Sequence, residues 1–184
     1  MHQERQLVWQ QIVAQTSKEY SVLPPAEKDW IETQLRRLEE LQLRLNQLFE
    51  TADGSQACGA CQGDCCAKGH NHMTLANLLG FLQQGDAPPV ADFSLTCPFL
   101  GGRGCMLVVE RRPYNCISFV CDIIEKPLTS ADVAGFYRLE KQLRVIYQAF
   151  ADRYRGGSLT GLLLQHDRLN GHGFLQRKTD VAGE

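Results

Sequence analysis

Four thiols within nine residues, Cys58-Gly59-Ala60-Cys61-Gln62-Gly63-Asp64-Cys65-Cys66, constrain this chain more than any other stretch. Four more follow at Cys97, Cys105, Cys116 and Cys121, so all eight cysteines fall between residues 58 and 121 of a 184-residue chain. The segments on either side contain none and carry helical periodicity. A fold for this sequence must therefore set helices around an irregular, sulfur-rich middle.

How the thiols are read depends on the compartment. Eight cysteines in a secreted chain would suggest a disulfide framework. The N-terminus, Met1-His2-Gln3-Glu4-Arg5-Gln6, is polar and lacks the apolar core of a secretory signal. No apolar run approaches the ~20 residues that span a bilayer. The expectation is a soluble, cytoplasmic protein, a setting where disulfides are rare, with enough chain to bury a core without staples. Thiolates binding metal are the favoured reading and disulfides the minor one. A net charge of −2, an isoelectric point near 6.2 and scattered basic residues give no general pull toward nucleic acid or acidic lipid. Neither is expected as a partner.

Residues 3–20 predict a first helix with Leu7, Val8, Ile12 and Val13 on one side. Pro24-Pro25 breaks it, since neither proline donates a backbone N–H and each disfavours helix in the residue before it. Between Ala26 and Glu50, Ile31, Leu35, Leu38, Leu41, Leu45 and Leu48 recur at spacings of three and four, a strong amphipathic signature. These two segments could form a helical hairpin, pack on the cysteine domain, or bind a protein partner or second copy as a coiled coil. After a break at 51–55 comes the cysteine cluster. Thr74 then caps a short helix carrying Leu75, Leu78, Leu79 and Leu82, ending near Gly85. The run from Cys97 to Val109 reads as two short extended pieces around a glycine turn. Arg112-Pro113 starts a helical turn bearing Cys116. Ser130 or Thr129 caps an amphipathic helix with Phe136, Leu139, Leu143, Ile146 and Phe150 inward, stopped at Gly156-Gly157. A short helix at 159–169 follows, then a mobile tail from Asn170.

Cys58 and Cys61 are separated by two residues, a spacing that lets a tight turn aim both sulfurs at one metal. The small Gly59 and Ala60 let the backbone fold close to them. Adjacent side chains generally diverge, so Cys65 and Cys66 could feed two sites, or one could bind and the other pack. Eight cysteines divide into two four-thiolate sites, but one such site plus buried free thiols is also ordinary. Lys68, Arg103, Arg111 and Arg112 are placed to offset thiolate charge, or are solvated surface bases. His70 or His72 could replace a cysteine as a ligand, although a polar lead-in to the Thr74 cap explains them too. A thioredoxin-like pair would need a strand before Cys58 and a helix opening at it, where a glycine-rich turn is expected instead. The ligand spacing differs from the common ferredoxin runs, yet an iron–sulfur cluster assembled from distant segments remains open. There is no phosphate-binding glycine loop, no His-Glu-x-x-His and no serine nucleophile elbow.

Cys58, Cys61, Cys65-Cys66, Cys97-Pro98-Phe99-Leu100, Gly104-Cys105 and Arg112-Pro113-x-x-Cys116 together resemble the YkgJ-type cysteine-cluster family, described as zinc- or iron-chelating domains. The resemblance covers roughly residues 58–121. It implies a metal-binding set of Cys58, Cys61, Cys65, Cys66, Cys97, Cys105 and Cys116, with Arg112 and Pro113 as structural companions. The chain departs from the family pattern in having three residues before the Cys65-Cys66 pair, and in Phe119-Val120-Cys121 beyond Cys116. Cys121 is thus a local addition, either a ligand or a packed thiol.

The expected fold is mainly α, with helices at both ends clasping an irregular cysteine-rich metal-binding centre that contains a short hairpin. Residues 1–50 form the hairpin-like N-terminal helical segment and residues 51–184 the cysteine-cluster domain. The expected function is binding of zinc, or of iron, by Cys58, Cys61, Cys65, Cys66, Cys97, Cys105, Cys116 and Cys121, most simply as a structural site in an accessory or interaction module. An iron–sulfur protein with redox or catalytic function, and a metal-handling protein with exchangeable thiolates, are the alternatives.

Overall fold

The long helices follow directly from their apolar spacing. In the computed structural model, which describes residues 2–61, 69–102 and 104–178, α1 runs His2–Ser21 and α2 runs Pro25–Glu50. Pro25 occupies the first turn of α2, where its missing N–H removes no helical bond. The α2 stripe of Ile31, Leu35, Leu38, Leu41 and Leu45 is buried, and it lies along the matching stripe of α7 (Ser130–Arg153), formed by Phe136, Leu139, Leu143, Ile146 and Phe150. That stripe is therefore buried inside the chain. Thr129 caps α7, its hydroxyl oxygen accepting from the Asp132 N–H at 3.2 Å.

α1 packs mainly on α8 (Leu162–Leu169) and α4 (Leu75–Gln83), and α2 mainly on α7 and a 3-10 turn at Val109–Arg111, so pairing with each other is not their chief contact. Trp9 of α1 is buried edge-on to Phe93 and Phe99, which ties the loop after α4 into the core. At the opposite end Trp30 meets Phe150 edge-on, with the Arg153 guanidinium 4.4 Å from its ring centre. One cluster of buried apolar side chains extends from Trp9 to Leu175.

The middle of the chain is built from short pieces. These are α3 (Gly54–Cys61), a 3-10 turn at Gly69–Asn71, a hairpin of β1 (Leu100–Gly101) with β2 (Gly104–Cys105), α5 (Tyr114–Ser118) and α6 (Asp122–Glu125). The two antiparallel strands pair Leu100 with Cys105 and Gly101 with Gly104, as the glycine turn suggests. The expected helix at 159–169 begins only at Leu162, after Gly161.

The tail departs from the sequence reading. Phe174 is fully buried and Leu175 nearly so. The Arg155 N–H donates to the Gln176 carbonyl and the Gly156 N–H to that of Phe174, while the Leu175 N–H donates to Glu19. Residues through Lys178 are thus packed rather than loose. The polar Asn170-Gly171 pair that suggested mobility is a turn, with Asn170 in the left-handed conformation that lets the chain reverse. Among the described residues, no helix is long and apolar enough to cross a membrane.

Candidate metal centre

Cys58 and Cys61 lie on α3 rather than in a glycine-rich turn, which corrects the sequence reading. Three residues apart, they share one helix face, so helical backbone aims both sulfurs in one direction. The helix opens at Gly54, four residues before Cys58, so the pair does not sit at a helix opening in the thioredoxin manner. Cys97 approaches from the loop before the hairpin and is buried. A Cβ on Gly69 would lie 2.5 Å from Cys97 Cβ and 2.7 Å from its Sγ, so only glycine lets these segments come together. Cys105 is on β2, and Cys116 is on α5, which begins directly after Pro113.

These pieces converge. Cys58, Cys61, Cys97, Cys105 and Cys116 all line one cavity of about 190 Å³, together with His72 and Arg112. Phe49, Phe99, Leu107 and Ile117 supply apolar wall between the sulfurs. Cys121 precedes α6 and is not among the lining residues, while Cys65, Cys66, Lys68 and Arg103 fall outside the described residues. Burial pushes the Cys97 thiol up, against a weaker opposing effect of the Phe99 N–H; neighbouring Cys105 adds to the rise.

The chemistry of the donor set fits a metal. Thiolates with an imidazole are the ligands that borderline-soft and soft ions such as zinc and iron prefer. Among the described residues, no group of three or more His, Cys, Asp or Glu side chains is placed to hold an ion.

Of the bases noted in the sequence, the structure separates two. Arg112 lines the cavity, its guanidinium donating to the Leu107 carbonyl and to Asn46 Oδ1, each at 3.4 Å. Arg111 turns the other way, buried against Gly80, and pairs with Glu39 at 2.5 Å. The backbone carrying both is held by Asn77, a residue the sequence reading passed over. Its Nδ2 donates to the carbonyls of Arg111 and Arg112 and to the Tyr147 hydroxyl, and its Oδ1 accepts from Thr74. Gln42 of α2 also donates to the Arg112 carbonyl. The only sequence signal for Asn77 is one amide in an otherwise apolar run of α4. At the start of α5, the Tyr114 hydroxyl donates to Glu140. Burial and that contact push the Tyr114 phenol up to about 12.

No protein-family profile, curated protein or solved structure matches this chain.

Proposed function

We propose that this chain is a metal-binding protein whose clustered thiolates hold zinc as a structural site in an accessory or interaction module. The observation that carries this reading is the convergence of five cysteines from α3, the hairpin region and α5 on a single cavity. Two-residue strands and a five-residue helix have little internal means of staying in place. An ion bonded to sulfurs from several of them would cross-link them, and its binding energy would appear as folding energy. Cys58, Cys61, Cys97, Cys105 and Cys116 would supply the sulfur, with Arg112 offsetting negative charge. The motif resemblance to the YkgJ-type family supports the same role.

The number of thiols favours one second reading. Five sulfurs at the cavity, before Cys65 and Cys66 are counted, exceed the four that a single zinc takes. An iron–sulfur cluster, or a second ion, would use the surplus. Elemental analysis of anaerobically purified protein, with a visible spectrum of the same sample, decides between them. Zinc at one or two equivalents without colour supports the structural site. Iron with matching sulfide and broad visible absorption supports the cluster and overturns the zinc reading. Neither metal, with all thiols free or oxidised, overturns both.

A further inference from the structure

Two histidines flank Asn71, and they differ in what their rings face. His70 is engaged with the protein at both nitrogens. Arg5 donates to its Nδ1 at 2.6 Å, which leaves the proton on Nε2, and that nitrogen donates to the Leu95 carbonyl at 2.6 Å. Its ring also stands edge-on against Phe93. His72 instead enters the thiol-lined cavity, with Nδ1 3.3 Å from Cys116 Sγ.

The backbone fixes His72 from both sides. The Gly161 N–H donates to the Asn71 carbonyl and the Leu162 N–H to the Met73 carbonyl, each at 2.7 Å, while the His72 N–H donates to the Gly69 carbonyl. Gly161 presses so near that an added Cβ would collide with the Asn71 carbonyl group and lie 2.9 Å from the His72 nitrogen. With the backbone held this firmly, only the side-chain torsions of His72 remain to be fixed when its imidazole binds an ion.

From this geometry we infer that His72 is a direct ligand of the metal, bonding through Nδ1 beside Cys116, and that the centre is a mixed imidazole–thiolate site for a divalent ion of the zinc class. The inference rests on the thiolate-centre reading above and adds a donor to it. In a tetrahedral site with sulfur at ~2.3 Å and nitrogen at ~2.0 Å, the two donors stand about 3.5 Å apart. The 3.3 Å separation of Nδ1 and Sγ is already close to that edge. A neutral imidazole in place of one thiolate also reduces the charge of a four-ligand zinc site from two negative charges to one, within the compensating reach of a single guanidinium such as Arg112. The competing arrangement is a hydrogen bond, in which His72 donates to a metal-bound Cys116 sulfur without touching the ion.

Zinc-edge X-ray absorption separates the two. The full chain is stripped of metal, loaded with Zn²⁺ alone and desalted, as wild type, His72→Ala and His72→Cys. The expected wild-type shell contains sulfur and one imidazole nitrogen, with the nitrogen lost in His72→Ala and replaced by sulfur in His72→Cys. An all-sulfur shell in the wild type at equal zinc content overturns the role of His72 and leaves the thiolate centre standing. So does an imidazole signal that persists in His72→Ala. Failure of the wild type to retain zinc removes both readings. An all-sulfur wild-type shell needs no variant to be read, and His72→Cys, which keeps a ligand at the position, assigns the nitrogen if His72→Ala does not fold.

Discussion

The cysteines that face one another differ in what each contributes. Cys58 and Cys97 lie on separate segments and line the same cavity, whereas Cys121 stands off its wall. Replacing Cys58 by Ser should therefore lower metal content and destabilise the chain, because an ion loses a strong sulfur ligand and a cross-link between segments. Replacing Cys121 by Ser should leave metal stoichiometry unchanged. Metal analysis and thermal melting of both variants check this; equal metal content and equal melting for Cys58→Ser and wild type would contradict it. At this scale the sequence was informative about thiols and uninformative about what backs them. Clustered cysteines announce themselves by composition. Asn77 does not, because its role depends on Tyr147, far along the chain, and the sequence offered His72 only alongside His70 as a possible ligand.

Helices with a continuous apolar stripe were legible almost to the residue. For α2 and α7 the spacing of Leu and Phe names the buried face, since each stripe is wide enough to require another to cover it. Short elements were harder. The helical state of Cys58-Gly59-Ala60-Cys61 runs against the low helix propensity of glycine, and packing of α3 against α2 overrides it. The tail was misread for the opposite reason: glycine and asparagine do mark a turn at 170–171, but Phe174 beyond it is an anchor. Phe174→Ala should cost about 3 to 5 kcal/mol, the usual range for emptying a buried aromatic site. Urea denaturation measures it, and a change below about 0.5 kcal/mol would mean that the tail is loose after all.

The ends of the molecule are joined through one carboxylate. Glu27, in the first turn of α2, accepts from Arg153 and Tyr154 at the end of α7 and from Arg177 of the tail. The Arg153 hydrogen bonds hold its carboxyl below the usual range, outweighing the opposing effect of burial. A carboxylate with a depressed folded-state pKa contributes stability that is full above its unfolded value of about 4.3 and is lost as pH falls through the folded value. Glu27→Gln should thus lower stability at neutral pH by about 2 kcal/mol and make the acid-side decline shallower than in wild type. Denaturation midpoints at pH 7 and below pH 4 test this, and parallel acid declines in the two proteins would count against it. The cysteine-lined cavity lies among the short elements in the middle, where on the proposed function a bound ion would supply what the helical packing does not. The direct test of that claim is thermal unfolding of the metal-loaded full chain before chelation, after chelation and after the metal is returned. The account predicts a lowered melting temperature on chelation and recovery on reloading; melting that is unchanged after complete, verified metal removal would contradict it.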